Sequence, residues 1–187
     1  PGAVGQIAYG RYRSPNYAAA GQYIPATGTL TGMPLQQGNN DLVFQLFVPA
    51  GARPAGGWPV AMFGHGFTDS MFGAPWAVAS VLASQGIATL SINVVGHAGG
   101  NQGTLTVQRL GADAAVLPAG GRGIDQDGNG TIDSTEGVNA APPQTLVGNR
   151  DGLLHTVFVL LQLVEVLEQG VDVDGDGGSE LDRSRIY

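Results

Sequence analysis

Apolar positions along this chain fall into short blocks separated by long glycine-rich stretches, and the period changes from block to block. "DLVFQLFVP", Asp41 to Pro49, alternates, with Phe44, Leu46 and Val48 on one face and Pro49 closing the run, which predicts a strand. "PVAMF", Pro59 to Phe63, is continuously apolar, the pattern of a strand buried on both faces. A helix follows in the pattern: Pro75 suits a first helical position, Trp76, Ala79, Leu82 and Ala83 share a face, and Gly86 stands where a C′ residue belongs. "GIATLSINVV" then predicts a second buried strand, Ile87 to Val95. Strand, helix and strand at this spacing form a βαβ unit, so these strands should be parallel with a right-handed crossover.

The strongest helical period lies further on, from Asp151 to Gly170. Leu153, Leu154, Val157, Leu160, Leu161, Val164 and Leu167 make one stripe, Asp151 is the expected N-cap and Gly170 the stop. Residues 1–40 show no helical period; "YGRYRSPNY" and "IPATGTLTGMP" predict extended segments and turns covering the core of a domain spanning 41–187. Residues 98–148 predict a mostly loop excursion. "SRIY", at the end, has the look of a strand's first residues.

Composition narrows the picture. With 187 residues, one domain or most of one is expected. The content is 43% hydrophobic and 12% charged, with 31 Gly and 11 Pro, which is globular and loop-rich. A net charge of −7, with every basic residue an Arg, argues against nucleic acid and anionic membranes as partners. There is no Cys, hence no disulfide or thiol chemistry. The longest apolar run, near Val157 to Leu167, is broken by Gln162 and Glu165 and is too short to span a bilayer.

Two acidic loops carry metal-binding chemistry. Calcium takes several oxygens at once, and a tight loop offers them from alternating positions. In "DQDGNGTIDSTE", Asp125, Asp127 and Asn129 fill the first, third and fifth positions and Gly130 gives the turn at the sixth. Thr131 offers a carbonyl at the seventh, Ile132 is the apolar anchor, Asp133 sits at the water-linked ninth, and Glu136 closes at the twelfth. Each position fits the EF-hand loop pattern, although the flanks are not amphipathic helices, so an isolated, dockerin-like calcium loop is expected. "DVDGDGGSELD" is a weaker copy: Asp172, Asp174, Asp176 and Gly177 fit and Gly178 can give a carbonyl, but Ser179 replaces the anchor and Arg183 stands where the closing Glu belongs. Glu180 or Asp182 would complete that shell. The competing reading of either loop is a solvated acidic turn.

"FGHGFTD", after an apolar strand and before a helix and "GIATLSINVVGHAGG", resembles the α/β-hydrolase family over about Asp41 to Tyr187. The resemblance implies a mostly parallel sheet with flanking helices, incomplete without a C-terminal portion. It implies that the Phe67 N–H is one oxyanion-hole donor, with Gly66 admitting the substrate and His65 holding the turn. The family's nucleophile sits in a Gly-x-Ser-x-Gly elbow, and no serine here has that spacing. Nucleophile, acid and base are therefore expected on a C-terminal remainder, joined covalently or as a nicked second chain, and this chain alone should be inactive. The function implied is a calcium-stabilised serine esterase, lipase or polyester hydrolase acting on an ester substrate. The alternative is a non-catalytic, calcium-stabilised binding or assembly module. Calcium supply suggests a secreted, extracellular or periplasmic protein, and Pro1 in place of Met suggests a processed product. His97 reads as a loop-ordering residue at the cleft, and His155 as a packing or surface residue.

Overall fold

The structure, a computed structural model, describes residues 2–26, 32–109 and 111–187. Its main sheet has five strands in the order β1-β2-β4-β3-β7. These are β1 (Val4–Asn16), β2 (Gly38–Pro49), β3 (Trp58–Met62), β4 (Ala88–Ile92) and β7 (Leu181–Ile186). Between β4 and the last helix, β5 (Thr104–Val107) and β6 (Ala115–Pro118) pair as a separate antiparallel hairpin. Two helices complete the described residues, α1 (Ala74–Ser84) and α2 (Thr145–Gln169).

This architecture corrects the expected α/β-hydrolase class. The described residues are mostly β, with a mixed sheet, a second antiparallel sheet and only two helices among them, short of the set of flanking helices that class requires. The reason lies in β2, which runs antiparallel to both neighbours, β1 and β4; only β4–β3 and β3–β7 are parallel. The β3–α1–β4 unit does form as the pattern predicts, with Val60 opposite Ala88 and Met62 opposite Leu90. Residues 4–16, expected to be cover, are instead the edge strand β1, in register with β2 so that Tyr12 faces Leu42. Of "IPATGTLTGMP", residues 27–31 lie outside the described residues.

The sheet's two faces are buried differently. Phe44, Leu46, Val60, Leu90 and Ile92 pack with Val159, Leu163 and Leu167 of α2. On the other face Phe47 meets Trp76 of α1 edge-on, with ring centroids 5.1 Å apart. Val60, Leu90 and Ile92 are buried, and β7, which takes in Ser184 to Ile186 of the "SRIY" segment, pairs with β3.

Helix α2 begins at Thr145, six residues before the expected N-cap. Asp151 is inside it and buried, where its Oδ2 accepts the Ile24 N–H at 2.9 Å and its Oδ1 pairs with Arg150. The buried stripe is Gly148, Asp151, Gly152, His155, Val159, Leu163 and Leu167, while Leu153, Val157 and Leu161 face solvent. Apolar residues occupy nearly every side of this helix, so period alone leaves its rotation open. Glycine decides it: a Cβ on Gly148 would lie 1.9 Å from the Ala140 nitrogen and one on Gly152 2.8 Å from the Val138 carbonyl oxygen. The helix turns this smooth side toward the end of the 98–148 excursion and thereby fixes the loops around the cleft.

Candidate functional site

In the first acidic loop, backbone amides and carboxylates draw the oxygens together. Asp125 accepts from the Gly128 and Gly130 N–H groups at 2.7 and 2.9 Å. Gly130 has φ +84, a conformation that favours glycine. Asp127 accepts from Asn129 N–H at 3.0 Å, and Asn129 Oδ1 accepts from Thr131 N–H at 2.7 Å. Glu136 reaches back across the loop: Oε1 accepts from Gln126 and Asp127 N–H, and Oε2 from Asp133 N–H. Asp125, Asp127 and Glu136 thus hold one carboxylate oxygen each within 4.8 Å of one another, a group that could hold a metal ion. The Asp133 carboxylate lies outside that group, and Thr131 contributes its hydroxyl to Asn129. Ile132 lies against Gly100 and Gly123, where a Cβ would meet it at 2.5 and 2.6 Å, so the apolar anchor seats the loop on the β4–β5 connection.

The second loop repeats this winding. Asp172 accepts from Gly175 and Gly177 N–H at 2.7 and 2.9 Å, as Asp125 does from the residues three and five ahead of it. Asp174 and Asp176 accept from Asp176 and Gly178 N–H. Glu180 closes the loop three positions sooner than Glu136 does in the first, its Oε2 taking the Val173 N–H. Asp172, Asp174, Asp176 and Glu180 form a group able to hold a metal ion, with Glu180 buried and the three aspartates exposed. Asp182 stands apart from it, accepting from Ser184 and Arg185, which hold its carboxyl at about 2, below the usual carboxylate range. Sequence spacing gives no hint of Arg53, which bonds Asp176 at 2.7 Å and Glu180 at 3.0 Å. It arrives from the β2–β3 connection, 123 and 127 residues away in sequence.

His65, Gly66 and Phe67 follow β3 and line one side of a cleft of about 290 Å³. Val94, Val95, Val138 and Leu153 make its walls largely apolar. His65 is buried and fully used: Nε2 accepts the Val94 N–H at 3.1 Å, which makes Nδ1 the protonated nitrogen, and Nδ1 donates to the Gly66 carbonyl at 2.9 Å. Burial pushes its pKa down, so it stays neutral and serves to hold the turn. The Phe67 backbone N–H makes no hydrogen bond among the described residues, and its ring is exposed, edge-on to His97 at 5.4 Å.

His97 lines the same cleft and is 3% exposed. Its Nδ1 lies 2.9 Å from the Val95 carbonyl, which can only accept, so Nε2 is left as a lone pair, and Nε2 has no partner. Among the described residues no serine lines this cleft, and the one hydroxyl side chain there, Thr156, donates to the Gly152 carbonyl within α2. His155, by contrast, is buried on the inner stripe of α2, and burial with the nearby Arg122 charge lowers it to about 4. No protein-family model, curated protein or solved structure matches the chain.

Proposed function

We propose that this chain is the oxyanion-bearing part of a serine ester hydrolase whose nucleophile lies outside residues 1–187, and that its two acidic loops bind calcium. The observation that carries the first reading is the free Phe67 N–H at the mouth of an apolar cleft, on a turn held by both nitrogens of His65. A donor fixed before the reaction stabilises charge as it develops and needs no reorganisation when it does. In this reading a serine oxygen adds to the ester carbonyl, a histidine takes the serine proton, and the carbonyl oxygen becomes an anion beside the Phe67 N–H. Collapse of that intermediate expels the alcohol, which takes the proton, and water then releases the acid. Gly66, with no atom within 4 Å of a would-be Cβ, leaves room for the acyl group. Among the described residues no hydroxyl in the cleft is free to act as the nucleophile, which favours a partner segment supplying it and an inactive isolated chain.

The calcium reading rests on the two carboxylate groups and their all-oxygen donors, which suit a hard cation. Asp125, Asp127, Asn129 and Glu136 would hold the ion in the first loop, with the Thr131 carbonyl and Asp133 adding oxygens. Asp172, Asp174, Asp176 and Glu180, with the Gly178 carbonyl, would hold it in the second. Its role there is structural, and an extracellular or periplasmic setting supplies it.

The test uses the natural protein with whatever follows residue 187. A fluorophosphonate should label it outside residues 1–187. Phe67→Pro, which deletes the N–H, should lower ester turnover about a hundredfold or more, while Phe67→Ala, which keeps it, should retain most activity. Equal turnover in a folded Phe67→Pro protein, or label on a serine within 1–187, refutes the assignment.

A further inference from the structure

Val95, which lines the Phe67 cleft, also lines a second, larger one of about 700 Å³, together with Arg122. Arg122 sits in the return from the β5–β6 hairpin, where its backbone N–H donates to the His97 carbonyl at 2.8 Å and its carbonyl accepts from Gly96 N–H at 3.0 Å. The backbone is thus locked. The side chain is not: Nη1 donates to the Asn93 carbonyl at 3.3 Å, and no other hydrogen bond engages the guanidinium. A guanidinium carries five donors in a planar fork, and partly buried ones are normally met by carboxylates.

None of the chain's carboxylates meets this one. All fifteen Asp and Glu lie among the described residues, and none forms an ion pair with Arg122. The two that line the cavity are engaged elsewhere: Asp41 pairs with Arg13 at 3.4 Å, and Asp125 takes the Gly128 and Gly130 amides. The unbonded nitrogens are not sealed in, since no Arg122 atom is both buried and unpartnered. Burial nevertheless weighs on the charge, lowering the guanidinium to about 10. His155 lines the same cavity. Asn40 Nδ2 lies 3.3 Å from His155 Nε2, which must accept, so His155 Nδ1 carries a proton. The Pro15 carbonyl approaches it outside hydrogen-bond geometry, and Nδ1 has no partner.

From this geometry we infer that the Arg122 cavity is a binding site for a small organic carboxylate, taken by the guanidinium fork. A carboxylate supplies two oxygens in the plane and spacing the fork presents. The side-chain amides of Asn16, Asn40 and Asn101 around the cavity suit hydroxyl groups on the same molecule, so a hydroxycarboxylate is the class that fits best. The site is independent of the ester-hydrolase reading, since it shares no proposed catalytic atom.

Isothermal titration with sodium 3-hydroxybutyrate, at fixed calcium, tests it. Saturable one-to-one binding is expected, weakened about tenfold or more for the uncharged methyl ester and in Arg122→Gln, which removes the charge-assisted pair. Circular dichroism monitors folding of the variants. Should Arg122→Gln fail to fold, Arg122→Lys keeps the charge without the fork and is expected to bind several-fold more weakly. Absence of saturable binding, equal affinity for acid and ester, or an unchanged constant in the folded Arg122 variant overturns the proposal. Tighter binding of inorganic phosphate overturns the choice of carboxylate.

Discussion

Replacing Glu136 with Gln separates a metal ligand from a hydrogen-bond acceptor. Its carboxylate lies within 4.8 Å of those of Asp125 and Asp127. At that distance in water each like-charge pair costs about 0.9 kcal/mol, so the variant relieves about 2 kcal/mol, less with salt. Against this, three amide donors (Gln126, Asp127 and Asp133) lose the charge on their acceptor, although the amide oxygen still accepts. The two effects nearly cancel, and in EGTA the variant should unfold within about 1 kcal/mol of the parent. In calcium they part. A ligand at a hundredfold excess over Kd adds about 2.7 kcal/mol, which for a chain of this size is about 5–10 °C. Glu136→Gln should forgo that rise at the first loop, and Asp172→Asn removes the second loop's share. Paired melting curves in EGTA and in calcium make the measurement. A parent curve indifferent to calcium, or a variant that shifts as far as the parent, refutes the reasoning; a variant crippled in EGTA shows that Glu136 acts through its hydrogen bonds.

Acid should destabilise the protein through His155. Its folded pKa, about 4, lies below the unfolded value, so the unfolded state takes up the proton first and stability falls as pH drops from about 6.5 toward 4, by about 3 kcal/mol at the limit; urea melts of His155→Gln should show a shallower fall, and an identical one refutes the assignment. The rotation of α2 is open to test by a pair of variants. Leu163→Ala empties a fully buried position and should cost about 2–5 kcal/mol, whereas Leu161→Ala, on the exposed side, should stay within about 1 kcal/mol; equal costs would refute the observed rotation. Gly148→Ala drives a Cβ into the Ala140 backbone and should cost about 1–3 kcal/mol despite alanine's better helix propensity, so a neutral result in a thermal melt would show that the helix shifts freely.

What was legible in the sequence depended on how local its physics is. In the loop from Asp125 to Glu136 the sequence spacing does bring Asp125, Asp127 and Glu136 together, because turn glycines and oxygen donors recur at fixed offsets and the winding is short-range, while the Asp133 carboxylate stands outside the group. The β3–α1–β4 unit was legible for the same reason, and so was the turn at His65, although its second hydrogen bond comes from Val94 on the neighbouring strand. The direction of β2 was not. It is decided by pairing with β1 and β4, and an alternating strand looks alike in either direction. Nor was the rotation of α2, where leucines on several sides outvoted the two glycines that set it. Arg53 and Arg122 are lone arginines in glycine- and alanine-rich stretches, and only the folded chain shows one clasping Asp176 and Glu180 and the other without an acid.

The seating of Gly148 and Gly152 against Val138–Ala140 has a thermodynamic consequence. Val138 forms part of the Phe67 cleft wall, and it stands two residues after the carboxylate that closes the first loop. The glycine contacts leave no slack between that strand of backbone and the helix. Cleft and loop therefore share a wall, and on the proposed reading a cleft ligand that displaces Val138 alters the loop's calcium affinity by the same factor by which calcium alters its own. Calcium titrations with and without a saturating ester analogue would read that factor directly, and a value of one would mean that the wall is rigid enough to keep the two sites strangers.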